Sequence, residues 1–171
     1  MDLVIRGGLV VTPDGAGYLD VGVRGERIVA IAPHGSLTEG TARVIDATGR
    51  IVVPGGIDPH IHANWALPDK DGRSTGMSAG PEHVSKAALF GGTTTWIDFA
   101  MWQPGLTLQQ TIEKRRQEWQ GHCCSDYAFH VMLQGSIPPD VLDQIPEVIQ
   151  EGYASIKIFT TDITPSRRGR K

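Results

Sequence analysis

The chain has 171 residues, with 16 Lys and Arg against 19 Asp and Glu, for a net charge of −3. That is the length of one ordinary domain, and the missing basic excess speaks against a nucleic-acid module. Apolar residues at 40% exclude a disordered chain. Apolar runs such as Leu9–Val11 and Ile51–Val53 fall far short of the ~20 residues of a spanning helix, so no membrane segment is expected. Met1–Arg6 lacks the basic and apolar regions of a signal peptide. Cys123 and Cys124 are adjacent, which disfavours a disulfide between them. They read as reduced thiols of a cytoplasmic protein, too few for a cysteine-based zinc site.

Residues 1–53 and 54–171 differ in pattern. The first stretch has β-rich runs bounded by Gly and Asp: Leu3-Val4-Ile5 and Leu9-Val10-Val11 around Arg6-Gly7-Gly8, then Val21 and Val23 before a turn at Arg24-Gly25-Glu26, then Ile28–Ile31. Val44-Ile45 and Ile51–Val53 flank Asp46–Gly49. These are hairpin signals, and a small β-sheet or half-sandwich is expected. From residue 51 strands alternate with helices. The strands are Ile51–Asp58, Thr93–Ala100, Asp126–Leu133 and Ser155–Thr161. Pro81–Phe90 reads as a helix with Val84, Ala87 and Ala88 on one face and Gly91-Gly92 as its stop. Leu108–Gln120 opens with Thr107 and Gln110 at capping-box spacing and carries Leu108, Ile112 and Trp119 on one side. Pro139–Glu151 is interrupted by Pro146. The result is an α/β chain of successive βαβ units with strands apolar on both faces. Two parallel architectures fit: an open doubly wound sheet, or part of a (β/α)₈ barrel.

Two features carry chemistry. In Gly55-Gly56-Ile57-Asp58-Pro59-His60-Ile61-His62 the histidines are two apart and project to one side of an extended chain. They make a half-site for a divalent metal past the end of a strand; the bland alternative is a pair of ordinary loop histidines. Lys157 sits inside Ala154-Ser155-Ile156-Lys157-Ile158-Phe159, a segment apolar enough to bury it. It is either a lysine that snorkels or pairs with an acid, or one used for chemistry, whose neutral amine adds CO₂ to give a carbamate able to bridge two metals.

Gly56–His62, Gly91–Phe99 and Ser155–Phe159 together, with Leu3–Gly8 and Asp20–Val23, resemble the cyclic amidohydrolases of the amidohydrolase superfamily, in their dihydropyrimidinase/hydantoinase branch. The resemblance runs along essentially the whole chain. It implies a small β-sandwich segment at 1–53 and the first half, strands 1–4, of a metal-dependent (β/α)₈ TIM barrel at 54–171. It implies His60, His62 and Lys157 as metal ligands, Lys157 being carboxylated and catalytic, with two divalent ions, zinc first among them. It implies hydrolysis of a cyclic ureide or imide by a metal-bridging hydroxide, and a homotetramer. The family's remaining ligands, two histidines and a base aspartate, are expected beyond residue 171, so the chain reads as part of a longer polypeptide. Two positions depart from the branch: Asn64 stands where an acid follows the second histidine, and Asp162 where a substrate-contacting tyrosine follows the lysine. Both are candidate substrate-binding residues. Asp98 is a candidate to orient a ligating histidine, or a turn residue. His83, His122 and His130 read as structural. Other readings are a non-catalytic assembly relative and an unrelated doubly wound binding protein.

Overall fold

In a computed structural model of the protein, the described residues are 1–37, 40, 43–69 and 71–159. They fall in two compact units, Met1–Pro54 and Gly55–Lys171.

The first unit holds β1 (Leu3–Thr12), β2 (Gly15–Arg24), β3 (Arg27–Pro33), β4 (Arg43–Asp46) and β5 (Ile51–Val52). They form one sheet in the order β3-β2-β1-β4, with β5 also on β1. The hairpin expected at Arg24-Gly25-Glu26 joins β2 to β3, with Gly25 at φ 58°. Two expectations fail. Arg6-Gly7-Gly8 does not end a strand; it bulges within β1 between Ile5 and Gly8. Gly7 takes φ 72° there, and its N–H donates to the buried carboxylate of Asp20 at 3.0 Å. A Cβ on Gly8 would lie 2.5 Å from Cγ2 of Val52, so the strand crossing demands glycine. Nor do Val44-Ile45 and Ile51-Val52 pair with each other. Both lie parallel to β1, one on each half of that long strand. Among the described residues this unit has one sheet, with no second sheet to complete a sandwich.

The second unit holds β6 (Gly56–Asp58), β7 (Ala66–Pro68), β8 (Ser74–Met77), α1 (Pro81–Phe90), β9 (Thr93–Met101), α2 (Leu108–Trp119), β10 (Asp126–Leu133), α3 (Pro139–Leu142), α4 (Ile145–Gln150) and β11 (Ile156–Ile158). The expected strand Ile51–Asp58 is therefore two strands in different sheets. Pro54, which has no N–H, separates them. Gly55 then packs so tightly on Thr94 that a Cβ would sit 2.0 Å from its Oγ1. The capping box at Thr107 and Gln110 is present, and Pro146 falls in the first turn of α4, after the break that ends α3. In α1 the inward face is Pro81, Val84, Ser85 and Ala88, not Ala87, which is exposed. Ser85 is fully buried because its hydroxyl accepts the N–H of Cys124 and donates to the Glu82 carbonyl.

β6, β9, β10 and β11 form a parallel sheet whose order, β11-β10-β9-β6, follows the chain. A doubly wound sheet reverses its strand order at a switch point. This sheet does not reverse, and it has the form of a half-barrel. Side chains alternate across it. Trp96, Asp98 and Ala100 of β9, Phe129, Val131 and Leu133 of β10 and Ile156 of β11 face the helices, where all but Asp98 join the core around Leu108, Ile112 and Trp119. The intervening residues, Phe99, His130 and Lys157, share the other face.

Candidate functional site

His60 and His62 follow β6. Between them the Ile61 N–H donates to the Ile97 carbonyl of β9 at 3.4 Å, which keeps the chain extended beside the strand. The two rings consequently fall on one side, 5.2 Å apart, as their spacing predicts. Both rest on the buried ring of Phe99, His60 edge-on at 4.7 Å and His62 stacked at 4.9 Å. Trp65 closes on the far side of His62, with ring centroids 4.5 Å apart.

Lys157 arrives from β11. Its Nζ lies 3.4 Å from Nε2 of His60 and 4.0 Å from the centre of the Phe99 ring. The expectation of a buried lysine is corrected here: Lys157 is half-exposed. Its neighbours Ile156 and Ile158 made the segment look apolar, but alternation sends Lys157 to the opposite face from Ile156. His130 of β10, the register partner of Phe99, packs tilted against its ring at 5.1 Å. Its Nε2 meets the Pro59 carbonyl at 2.9 Å and its Nδ1 pairs with Ser155 Oγ. A carbonyl can only accept, so Nε2 carries the proton and Nδ1 accepts from the serine hydroxyl. His130 thus ties the segment before His60 to the segment before Lys157.

Asp98 faces away from the histidines. Its carboxylate accepts from Arg115 Nη2, from Trp119 Nε1 at 3.1 Å and from the Phe99 N–H at 2.6 Å. Its partner is thus a buried arginine, not a ligating histidine. Burial pushes the Asp98 carboxyl above its ordinary range, with the Arg115 guanidinium opposing. Arg115 and Glu118 were missed by the sequence reading. Their signal was available: Leu108, Thr111, Ile112, Arg115 and Trp119 form one helical stripe, so Arg115 is a charge on the buried face.

Asn64 adopts φ 54°, and its amide donates to Glu118 at 3.2 Å. It lines, with Trp65, Phe99, Lys114 and Gln134, a cavity of about 450 Å³ beside the histidines. Asp162 lies outside the described residues.

Partial desolvation of the otherwise exposed His62 ring against its aromatic neighbours holds its pKa below the usual histidine value, helped by the charges of His60, Lys157 and Arg115. Its lone pair is therefore available at neutral pH, as a metal ligand requires. Among the described residues no three His, Cys, Asp or Glu side chains form a metal-binding group. The third group beside the two imidazoles is the lysine. An ammonium has no lone pair, so this donor set accepts a cation only with the amine neutral or converted to an anion.

A half-barrel sheet with imidazoles past its first strand and a lysine on its fourth defines the class. Residues 43–113 match the Amidohydrolase family. A D-hydantoinase of Geobacillus stearothermophilus is 39% identical over 160 residues, which is 93% of this chain and 32% of the relative. A crystal structure of D-hydantoinase superposes with TM-score 0.83 at 35% identity, over 96% of this chain and 34% of that one. The dihydropyrimidinase of Brevibacillus agri superposes with TM-score 0.80 at 36% identity, over 96% of this chain and 34% of its own. The relatives it resembles along almost its whole length are thus hydantoinases and dihydropyrimidinases. The chain spans about a third of the length of the relatives it matches.

Proposed function

We propose that this chain forms part of a metal-dependent hydrolase that opens the amide bond of a cyclic ureide or imide. The observation that carries the reading is the convergence of His60, His62 and Lys157 on one face of the half-barrel sheet. In the proposal His60 and His62 would hold one divalent cation, and the Lys157 ammonium would add CO₂ with loss of two protons. The carbamate replaces a cation by an anion that reaches a second ion. Bound there, two such ions, zinc in the first instance, would supply the polarisation of the amide carbonyl and the lowered pKa of water. The chain's own residues position this centre. Phe99 supports both rings and excludes water beneath them, and His130 fixes the two segments that deliver His60 and Lys157.

The substrate enters the cavity bordered by Asn64 and Trp65, with Asn64 and Asp162 as contacts. Asp162 in place of a tyrosine implies a ligand richer in hydrogen-bond donors than a plain five- or six-membered ureide. A closed (β/α)₈ barrel, with the further ligands and a base aspartate from outside these residues, completes the proposal. So do a small β-sandwich, a homotetramer and a cytoplasmic location. No helix among the described residues is long and apolar enough to cross a membrane. The presence of His60, His62 and Lys157 together weighs against a non-catalytic assembly protein.

The test is hydrolysis of hydantoin, dihydrouracil and amine-bearing cyclic imides by the complete polypeptide that contains these residues, which are expected to be inactive by themselves, with elemental analysis of bound metal. Ring opening that depends on bound metal supports the proposal. Folded protein without metal or turnover would sink it and favour the assembly reading. Asp162→Ala is expected to shift preference among the three substrates.

A further inference from the structure

We propose that Arg115 is a positioning residue for the His60–His62 pair, locking the backbone just beyond His62 to β9 and α2. The functional consequence rests on the metal reading above; the positioning rests on geometry alone. Arg115 is 8% exposed. Its Nη2 donates to the Ala63 carbonyl and to Asp98 Oδ2, and its Nη1 donates to Glu118. Glu118 in turn accepts the amide of Asn64 at 3.2 Å. The Trp65 ring stands 5.6 Å from Arg115 Cζ. The three residues after His62 are thus gripped in sequence, by carbonyl, by side chain and by ring face. The carbonyl of His62 itself accepts from the Ser78 hydroxyl at 2.7 Å. Directly after these two anchored carbonyls the chain enters a left-handed conformation at Asn64, φ 54°. Asparagine tolerates that conformation better than most non-glycine residues.

Why a guanidinium stands on an otherwise apolar helix face follows from its shape. A buried ion pair adds little net stability over well-packed apolar groups. A planar fork, however, meets several acceptors at fixed angles, which a lysine ammonium does not. The acceptors here belong to a strand, a helix and the loop that carries the histidines. Arg115 therefore transmits the rigidity of the packed side of the sheet to the side that carries the imidazoles.

The test uses the complete polypeptide that contains these residues, with Arg115→Lys, Glu118→Gln and, as a packing control, Ile112→Ala. Two readouts are taken: amide exchange of residues 60–65 by mass spectrometry, and cobalt(II) titration followed by visible absorption. In Arg115→Lys and, to a lesser degree, Glu118→Gln, residues 60–65 exchange faster while the amides of β9 and β10 keep wild-type rates. Cobalt affinity falls about 10–100-fold in Arg115→Lys, with an altered spectrum. Ile112→Ala lowers thermal stability yet leaves the cobalt spectrum unchanged. Should Arg115→Lys not fold, Glu118→Gln decides, since it leaves the Asp98 pair intact. Wild-type exchange at 60–65 in a folded variant overturns the proposal, as does wild-type cobalt affinity with an unchanged spectrum. Wild-type protein that binds no cobalt refutes the metal reading, and the exchange rates then decide the positioning by themselves.

Discussion

Nζ of Lys157 lies 3.4 Å from Nε2 of His60, across 97 positions of sequence. Parallel pairing of β11 on β10, β10 on β9 and β9 on β6 brings them together, and the ring of Phe99 sets their height above the sheet. An ammonium beside an imidazole is a poor neighbour for a cation, whereas a carbamate in the same place is a good one.

Lys157→Ala is accordingly expected to empty the metal centre. Its loss should exceed the 10–100-fold cost typical of removing a group that merely supports a ligand. Elemental analysis of the purified variant checks this, and millimolar acetate or propionate should restore part of the metal by supplying a carboxylate. Metal content equal to wild type would end the idea that Lys157 contributes a bridging anion.

Asp20 gives an acid-dependent stability in the first unit. Burial pushes its carboxyl up, but hydrogen bonds from the Gly7 N–H, His34 and the Gly35 N–H outweigh it and hold its pKa below the ordinary value of 3.8. With the folded value depressed, the stabilisation is complete above the unfolded pKa and is lost as pH falls through the folded one. Asp20→Asn should be less stable than wild type at pH 7, and the difference should shrink below about pH 4. Urea unfolding from pH 7 to pH 2.5 measures it; a difference that widened toward acid would contradict the assignment.

Trp119 is fully buried between Asp98, Tyr127 and Phe129. Trp119→Ala removes its ring from the core and orphans one hydrogen bond to Asp98. It should cost about 3–5 kcal/mol of stability, seen as a large fall in the thermal midpoint.

Thr107→Ala removes the side-chain cap of α2, whose hydroxyl accepts the Gln110 N–H at 3.1 Å. A loss of about 1 kcal/mol is expected, with bound metal unchanged, because the cap sits at the opposite end of the helix from Arg115. Reduced metal in this variant would mean that α2 moves as a whole when its first turn frays.

Much of this molecule was legible from local patterns. The histidine pair is read by its spacing of two, the α2 cap by its residue types, and the α3–α4 break by Pro146. What escaped depends on long-range partners. Gly7-Gly8 looked like a turn because only the approach of Val52 and the carboxylate of Asp20 show it to be a bulge. Ile51–Asp58 looked like one strand because the sequence does not say that its halves pair with different sheets. Lys157 looked buried because hydrophobicity was averaged over a segment whose two faces have different fates. Asp98 read as a candidate to orient a histidine or as a turn residue, when its neighbour in sequence, Phe99, is the one that touches the histidines.

That last adjacency makes β9 intolerant of change in length. Helix-facing and histidine-facing columns are interleaved one residue at a time, so Asp98 and Phe99 serve opposite sides. Deleting a single residue between Thr93 and Trp96 would invert every later assignment in the strand. A carboxylate would then lie beneath the imidazoles, and a phenyl ring would face the guanidinium of Arg115. Point substitutions along β9 are survivable one column at a time, but an insertion or deletion there damages both columns at once. Lineages carrying this chain should therefore vary in the residues of β9 far more freely than in its length.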